Sequence, residues 1–340
     1  MSLSSTQSAE TSEPAGVCPA QPGLSVLIVS YRTRALTLRC VESVLRELGP
    51  HGGEVLVLDN DSRDGTVEAL RERFPRCRVL INAENLGFGR AQNQLAAEAK
   101  GRRLLVLNPD TRLHPGCLGK LNAWLDQHPD TAVAGPRTLD PDGSVQATCF
   151  RFPGLLGEFL STSSLGPLLR HVPGLGAWLG LTPAARASGE VGYLQGSCLL
   201  FRRDAFEEMG GFDESYFLFS EEVDLQRRLR DRGWKRAFVA EAVITHDHGK
   251  SMEQDPIQNY VELYRSKLRY FGRHLSPTRF WIVKGLWTVF HLTRWWLLAG
   301  LAACTGRATW KCKASKHRAV LALLSGAPGE AGKSAQGAVE

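Results

Sequence analysis

The 340-residue sequence lacks the features that would identify several protein classes at once. Its eight cysteines are scattered and include no CxxC pair, so neither a zinc ribbon nor a disulfide-stapled scaffold is indicated. Unpaired cysteines of this kind predict a reducing, cytoplasmic environment. Residues 1–22 are rich in Ser, Thr, Pro and Glu and lack an apolar stretch, so we expect a disordered leader there and not a secretory signal peptide.

The sequence also lacks an extreme composition and an internal repeat. Hydrophobic residues make up 43% of the chain and charged residues 22%, which is an ordinary balance for a globular protein. That balance excludes a wholly disordered chain, a collagen and a simple coiled coil. The length suits one large domain or two modest ones.

Acidic side chains are missing from one long segment. Residues 263–329 contain twelve Lys or Arg and no Asp or Glu. This leaves 29 of the 41 basic side chains beside all 35 acidic ones, so a body of net charge −6 precedes a basic tail. Five of the eight tryptophans also lie in that tail. Basic residues together with Trp favour an anionic membrane surface as partner, and nucleic acid is the weaker alternative.

Short apolar runs alternate with amphipathic segments in the first third of the chain. The predicted strands are 24–30, 54–59, 78–81 and 103–107, and the predicted helices between them are 35–48, 66–74 and 88–99. Such alternation predicts right-handed βαβ crossovers and a parallel sheet covered on both faces. Polar clusters follow the strands at 30–32, 59–64, 85–93 and 108–110. Because ligands bind beyond the carboxyl ends of parallel strands, these clusters predict a ligand site.

The later elements are less regular. We predict helices at 113–128, 203–210, 221–233 and 256–272, strands at 132–136 and 239–244, and a strand-like segment at 193–201. The stretch 151–190 is rich in Gly, Pro, Leu and Ser, and we expect a mobile loop or short helices near the acceptor side.

Two strand-end motifs could bind a nucleotide and a cation. Asp59 could accept hydrogen bonds from a base or a ribose, or it could form an Asx turn that caps a helix. Asp110, in Asn-Pro-Asp after the fourth strand, could bind a divalent cation, since phosphate oxygens and water fill the remaining positions. An ordinary turn is the alternative there.

Two further motifs carry titratable groups. Glu221, Glu222 and Asp224 crowd three carboxylates at a helix start, which could compensate the helix dipole or raise one pKa for a general base. The His-Asp-His sequence at 246–248 follows a strand and could supply a metal ligand, although a lone histidine is usually structural.

Taken together and in order, these motifs resemble family-2 inverting glycosyltransferases of the GT-A fold, in the rhamnosyltransferase-like group. The matching segments are the VxIVxY opening at 26–31, LDNDSRDGT at 58–66, NLGFGRAQN at 85–93, LNPDT at 107–111, DPDGSVQ at 140–146, GSCLLFRRDAFEEMGGFDESYFLFSEEVDL at 196–225 and THDHGKS at 245–251. The resemblance implies an α/β fold with a mostly parallel, Rossmann-like central sheet flanked by helices. It also implies a catalytic domain over 23–255, a basic helical membrane-associating region over 256–325 and a disordered tail over 326–340.

The resemblance further implies roles for individual residues. The nucleotide would be bound by Tyr31, Arg32, Asp59, Asn60, Asn85, Gly87, Asn93 and Asn108. Asp110 and His246 would hold Mg²⁺ or Mn²⁺. Glu222 would be the general base, while Asp224 and Glu221 would orient the acceptor or raise the pKa of the base.

The implied activity is sugar transfer, with inversion, from a nucleotide-diphosphate donor to a hydroxyl of a saccharide or a polyprenyl-diphosphate-linked saccharide. The favoured donor is dTDP-rhamnose. A UDP-activated galactofuranose, N-acetylglucosamine, glucose or galactose is the alternative, and a catalytically lapsed nucleotide-sugar-binding subunit is another. No nucleic acid partner is expected.

The tail has the length of a membrane span but not its uniformity. Within residues 280–304, Lys284, His291 and Arg294 interrupt the apolar sequence and share one side of a helical wheel with Thr288. This pattern predicts that residues 263–325 lie on the membrane surface, at the inner face of the cell membrane. A true span and a helical hairpin packed on the catalytic domain are the alternatives.

Overall fold

The computed structural model describes residues 23–49, 52–162, 169, 187–247 and 255–326. The strands of these residues are β1 Leu24–Ser30, β2 Glu54–Asp59, β3 Arg78–Ile81, β4 Arg103–Leu107, β5 Thr111–Leu113, β6 Thr131–Leu139, β7 Cys149–Phe150, β8 Gly189–Glu190, β9 Tyr193–Leu194, β10 Cys198–Arg202 and β11 Lys235–His246. The helices are α1 Arg34–Leu48, α2 Thr66–Arg73, α3 Phe88–Glu98, α4 Cys117–Gln127, α5 Leu155–Thr162, α6 Arg203–Glu208, α7 Glu221–Asp231, α8 Pro256–His274, α9 Pro277–Thr305 and α10 Ala308–Ser325.

A mixed central sheet organises the molecule. Its described strands follow the order β3-β2-β1-β4-β10-β6-β11-β5, with β8 beside β11, and β7 pairs with β9 separately. Strands β1 to β4 are mutually parallel, whereas β10 runs antiparallel to both β4 and β6. Every residue of β1 is buried, because successive side chains enter the cores on opposite faces of the sheet: Val26 and Ile28 enter one, Leu27 and Val29 the other.

Two elements differ from the sequence predictions, and both differences shape the site. Thr111–Leu113 forms an edge strand on β11, and the predicted helix begins only at Cys117, after Pro115 and Gly116. The predicted strand 193–201 is divided into β9 and β10 by residues 195–197. Strand β5 has only three residues, too few to show the alternation of apolar and polar side chains that is typical of a strand. The break at 195–197 lies inside an apolar run, where no such alternation is present.

Helix α8 packs across the predicted domain boundary at 255/256. Tyr270 and Phe271 of α8 share a buried cluster with Tyr216, which precedes the acidic motif, and with Val223, which lies within it. The Ser266 hydroxyl also donates a hydrogen bond of 2.7 Å to the Leu218 carbonyl. The contacts of α8 therefore continue the packed body beyond residue 255.

Helices α9 and α10 form a pair that packs on α8. Trp287 and Val283 of α9 and Val320 and Leu324 of α10 enter the same buried cluster as Phe271. The packed hairpin considered from the sequence is thus present. Residues 1–22, residues 163–168 and 170–186 of the predicted loop, residues 248–251 of the last motif and most of the predicted tail after 325 lie outside the described residues.

The polar stripe predicted on α9 faces other helices more than solvent. His291 is completely buried, and Lys284 and Thr288 are half-buried, whereas Arg294 is exposed. The outer face is apolar instead. Its exposed side chains are Trp281, Ile282, Val289, Leu292, Trp296 and Leu297. No helix among the described residues combines the length and the apolar character needed to cross a membrane.

Candidate active site

Backbone strain marks the loops at the edge of the sheet. The non-glycine residues with positive φ, within the described part of the chain, are Arg32, Asp61, Arg63, Phe219 and Ser220. A positive φ costs free energy in any residue other than glycine and concentrates where a fixed geometry is needed. All five residues lie in polar segments that the sequence singled out, or directly before the acidic motif.

Asp59 offers a free acceptor at the end of β2. Its Oδ2 accepts a hydrogen bond of 3.0 Å from the Ser62 amide, and the Ser62 hydroxyl accepts one of 2.9 Å from the Arg32 amide. The other oxygen, Oδ1, is buried and has no partner among the described residues. Buried polar atoms are seldom left unpaired, so this oxygen suits a ligand that donates a hydrogen bond.

Tyr31 and Arg32 stand beside Asp59, which pairs with Ser30 across the strands. The Arg32 guanidinium lies 5.0 Å from the centre of the Tyr31 ring, a cation–π distance. Tyr31 is half-buried and Arg32 is exposed, so both side chains border the open edge of the sheet.

Asn60 and Asn85 hold the loop between β3 and α3, residues 82–87, in place. The Asn60 amide nitrogen donates to Asn85 Oδ1 at 2.8 Å and to the Gly87 carbonyl at 3.1 Å. Its oxygen accepts from Asn82 at 3.0 Å and from the Leu86 amide at 3.1 Å. An Asn side chain has two donor hydrogens and two acceptor positions, so Asn60 is fully used inside the protein.

Gly87 and Asn93 tie this loop to the segment before the acidic motif. Gly87 has a φ of 84°, and a Cβ there would lie 2.3 Å from the Phe217 carbonyl oxygen. That same oxygen accepts a hydrogen bond of 2.8 Å from the Phe88 amide. Asn93 exchanges hydrogen bonds with the backbone of Phe212, at 2.9 and 3.0 Å. Both residues act through contacts between loops.

Asp110 and His246 meet where β5 pairs with β11. Asp110 Oδ1 lies 3.2 Å from His246 Nε2, and each side chain is only 5% exposed. His246 is opposite Thr111 in the antiparallel ladder. The short edge strand therefore brings together two residues that are far apart in the sequence.

Gln146 orients this histidine. Its amide nitrogen donates to the His246 carbonyl at 2.9 Å and to Asp140 at 2.7 Å, so its oxygen faces His246 Nδ1 at 3.1 Å. Nδ1 then carries the proton in a neutral ring, and the Nε2 lone pair points at the Asp110 carboxylate. Two acceptors at this distance require a proton or a cation between them.

The donor set fits a divalent cation that shares its coordination with a ligand. One carboxylate and one imidazole nitrogen leave most coordination positions open. The described residues contain no group of three or more His, Cys, Asp or Glu that could hold a metal ion alone. Diphosphate oxygens would complete the shell.

Glu222 and Glu221 begin α7 in a low-dielectric setting. Burial raises the pKa of Glu222, although backbone amides, including that of Gly196, partly offset this effect. Burial and the neighbouring Glu222 raise the pKa of Glu221 well above its usual value. Glu221 Oε2 is buried with no partner among the described residues. A Cβ on Gly196 would lie 3.3 Å from Glu222 Cγ, so Gly196 leaves room for this carboxylate.

Asp224 differs from both glutamates. Its side chain is fully buried and lies 2.7 Å from Arg228 Nε, 2.7 Å from His274 Nε2 and 3.5 Å from Arg273 Nη1. Burial raises the pKa of Asp224, but the hydrogen bonds from His274 and Arg228 outweigh burial and hold that pKa below its usual value. Asp224 is an ionised brace between α7 and α8, remote from any open surface.

One segment connects the Asp110–His246 pair with the two glutamates. The amide of Asn108, whose side chain is half-buried, donates to the Ser197 carbonyl at 3.0 Å. The next residue back, Gly196, contacts Glu222. Segment 195–197, which interrupts the predicted strand, therefore connects Asn-Pro-Asp to the acidic motif.

Sequence reasoning missed the parts played by Gln146, Gly196 and His274. Gln146 belongs to a segment that the resemblance had already selected, so its position was a usable signal. Gly196 likewise stands in the matched segment 196–225. His274 is fifty residues from Asp224, and nothing local in the sequence connects them.

Comparison with known proteins shows the family of the chain. The family model described as "Glycosyltransferase like family 2" matches residues 22–262. Over 249 residues the chain is 35% identical to an N-acetylglucosaminyl-diphospho-decaprenol L-rhamnosyltransferase of Mycobacterium tuberculosis, covering 68% of this chain and 80% of that enzyme.

Two solved structures share the fold. Mannosyltransferase PcManGT from Pyrobaculum calidifontis, in complex with GDP-Man and Mn²⁺, has a TM-score of 0.52 at 16% identity, covering 92% of this chain and 89% of its own. GalNAc-T7 with UDP, GalNAc and Mn²⁺ has a TM-score of 0.51 at 17% identity, covering 66% of this chain and 43% of its own. The predicted GT-A architecture is confirmed. With the family match over residues 22–262, the conclusion is that this chain belongs to glycosyltransferase family 2 and is a glycosyltransferase.

Proposed function

We propose that this enzyme transfers L-rhamnose from dTDP-rhamnose, with inversion, to a hydroxyl of a polyprenyl-diphosphate-linked saccharide. The observation that carries the chemistry is the continuity from the Asp110–His246 pair through Gly196 to Glu222. The identity of 35% to a rhamnosyltransferase that acts on a lipid-linked sugar supports the choice of donor and acceptor. A UDP-sugar is the second candidate, since UDP occurs in a neighbour of the same fold.

The nucleotide lies along the edge formed by the loops that follow β1, β2 and β3. The unpartnered Asp59 Oδ1 accepts a hydrogen bond from the base or the ribose, and Tyr31 and Arg32 border the ring. Asn60, Asn85, Gly87 and Asn93 act as positioning residues, because their hydrogen bonds and close contacts hold the loops together. Asn108 brings the end of β4 against segment 195–197.

Asp110 and His246 would hold a divalent cation, Mg²⁺ or Mn²⁺. Such a cation supplies Lewis-acid stabilisation for the negative charge on the leaving group. Gln146 keeps the His246 lone pair directed at that position.

Glu222 is the general base. It takes the proton of the acceptor hydroxyl, whose oxygen attacks the anomeric carbon from the face opposite the diphosphate. The bond from that carbon to the diphosphate oxygen breaks, and its electron pair leaves with the nucleoside diphosphate. The raised pKa of Glu222 suits proton abstraction near neutral pH better than that of an exposed carboxylate. Burial keeps this pKa high, and it raises the pKa of the neighbouring Glu221 as well, so Glu221 is a neutral positioning residue beside the base.

The enzyme works at a membrane surface, on the inner face of the cell membrane. The outer face of α9 exposes apolar side chains, and residues 263–329 contain no acid. Apolar burial together with attraction to anionic lipids stabilises interfacial helices. This location gives the catalytic body access to a lipid-linked acceptor.

A donor screen by nucleotide release tests the assignment. The purified full chain is incubated with Mn²⁺ or Mg²⁺, then with EDTA, across dTDP-rhamnose and the common UDP-sugars. We expect metal-dependent release from dTDP-rhamnose alone. Release from one UDP-sugar instead would overturn the donor, and absence of both turnover and nucleotide binding would overturn the nucleotide-sugar assignment.

A further inference from the structure

An open groove runs between α5 and the outer side of α9. Its volume is about 580 Å³, and its walls are apolar over most of their length. Phe159 on α5 faces Ile282, Val289 and Leu297 on α9, and all four side chains are more than 40% exposed. The groove therefore keeps a large apolar surface in contact with solvent, which is unusual unless something covers it.

A second cavity of about 410 Å³ continues the groove between α8, α9 and α10. The two cavities share Phe290 and Arg294 in their walls. Trp310, Lys313 and Lys316 line the second one. We call these two adjoining cavities the channel: its walls are mostly apolar in the first cavity and aromatic and cationic in the second.

The cations at this end are unmatched. Arg294, Lys313 and Lys316 form no ion pair with a carboxylate among the described residues, and residues 263–329 contain no acid. The Arg294 guanidinium lies 5.6 Å from the Phe290 ring centre, and the Lys313 ammonium lies 5.0 Å from that of Trp310. Cations placed on aromatic faces keep their hydrogen-bond donors available for an anion.

Both parts of the channel are connected to α8. Glu158 of α5, buried one residue before Phe159, accepts hydrogen bonds from Lys267 and Trp287 and so fixes α5 on α8 and α9. Tyr260 of α8 lines the cationic end, while Glu262, on the opposite side of the same turn, faces Glu221 and helps raise its pKa. A helix is about 10 Å across, so the cationic end lies roughly that far from the carboxylates.

We infer that this channel binds the lipid part of the acceptor, with an isoprenoid chain along the apolar end and a diphosphate against Arg294, Lys313 and Lys316. The inference rests on the proposed function for the sugar that is delivered, but the lipid site is defined by its own residues. An apolar chain joined to a compact, doubly charged anion matches both the order and the chemistry of the walls. Helix α8 lies between the cationic end and the carboxylates, so the saccharide has to extend around α8 to reach the base.

Photocrosslinking in detergent micelles tests the site without a bilayer. The full chain is labelled with a benzophenone analogue of geranylgeranyl diphosphate, and the labelled peptides are mapped by mass spectrometry. We expect labels within residues 282–297 and on α5, suppressed by unlabelled geranylgeranyl diphosphate. Labelling that maps elsewhere on the chain would overturn the site, and so would labelling that unlabelled geranylgeranyl diphosphate does not suppress.

Matched charge variants test the cationic end. The triple variant Arg294→Gln, Lys313→Gln, Lys316→Gln should weaken labelling by roughly tenfold or more, since each cation stabilises an adjacent anionic headgroup severalfold. The control, Arg279→Gln, Arg307→Gln, Lys311→Gln, removes the same charge from exposed positions outside the channel and should label as the unmodified protein does. An equal loss of labelling in both triple variants would show that net charge alone causes the effect and would contradict the proposed site.

Competitors separate the possible sources of the anion. Geranylgeraniol and phosphatidylglycerol should compete at least tenfold less well than geranylgeranyl diphosphate, because neither carries a diphosphate. Equal competition by the alcohol would overturn the diphosphate contact, and equal competition by the phospholipid would identify a bilayer lipid as the occupant. Binding of dTDP, measured separately by calorimetry, shows whether the proposed function fails independently of this site.

Discussion

In the sheet-based body, buried charges have partners of opposite sign: Arg103 pairs with Asp126, and Asp224 with Arg228. In α9 and α10 the situation is reversed. None of the eight Lys and Arg of residues 277–326 pairs with a carboxylate among the described residues, and large apolar side chains face outward. The body thus pairs these buried charges internally, whereas the C-terminal helices leave cations and large apolar side chains facing solvent.

The exceptions within the body are as informative as the rule. Asp59 Oδ1 and Glu221 Oε2 are buried without partners among the described residues, and both lie at the proposed substrate edge. These two are the carboxylate oxygens among the buried polar atoms that lack a partner in the described residues, and a carboxylate left unpaired at this edge indicates where a substrate supplies the missing partner. Four substitutions test this contrast, in order of expected effect.

Glu222→Gln should lower turnover by about 10²- to 10⁴-fold while nucleotide binding is kept, because a neutral amide cannot accept the proton. Initial rates and dTDP calorimetry measure the two quantities. Burial raises the pKa of Glu222. The rate of the unmodified enzyme should therefore begin to increase at a higher pH than it would with an ordinary carboxylate as the base. Glu68→Gln, at an exposed position of α2, is the control, and an equal loss there would reject the assignment.

Asp224→Asn should destabilise the fold by about 3–5 kcal/mol, because Arg228 and His274 lose a buried carboxylate. The pKa of Asp224 is lowered in the folded protein, so its contribution is present above the usual Asp pKa of about 3.9 and is lost as the pH falls below it. Urea unfolding at several pH values measures this. Asp231→Asn, on the exposed part of the same helix, should cost under about 1 kcal/mol. A similar cost for both would show that Asp224 is not a brace.

Gln146→Ala should raise the metal concentration needed for half-maximal activity by about 10- to 100-fold, because His246 loses the partner that orients it. Titration of activity with Mn²⁺ measures the change. Asp142→Asn alters the exposed turn next to Gln146 without touching His246 and should leave the titration unchanged. An unaltered titration in Gln146→Ala would remove this residue from the cation site.

Trp296→Gln, on the outer face of α9, should reduce binding to anionic vesicles by a few-fold to tenfold, since less apolar surface enters the interface. Flotation with phosphatidylglycerol vesicles measures binding, and added salt should weaken it further. Val145→Gln removes a similarly exposed apolar side chain from the body and should have no effect. If neither variant changes flotation, α9 is not the membrane-binding face.

The sequence was sufficient for the parallel half of the sheet and for the family. Strands β1 to β4 begin and end at the predicted residues, because continuous apolar runs bounded by polar clusters are unambiguous. The GT-A architecture and membership of family 2 are confirmed as well. The donor sugar and the residue roles stay predictions.

What the sequence could not supply depends on contacts between distant segments. Glu222 and Asp224 have the same charge and stand two residues apart, yet only the approach of His274 makes one of them a brace. The helical wheel places Lys284 and His291 on one face of α9. Whether that face is turned to solvent or to other helices depends on how α9 packs on α8, which the wheel does not contain. Three-residue β5 is defined by its pairing with β11 and not by its own pattern.

The close approach of Gly87 to Phe217 has a consequence for the timing of substrate binding. The Phe217 carbonyl, in the segment that precedes Glu222, packs against Gly87 and accepts a hydrogen bond from the Phe88 amide. The loop that borders the proposed nucleotide edge and the segment before Glu222 therefore cannot shift independently. A donor that orders the Gly87 loop therefore also orders Glu222, the proposed base, before any acceptor binds. Steady-state kinetics should then follow a compulsory sequence, with the donor first and the nucleoside diphosphate released last.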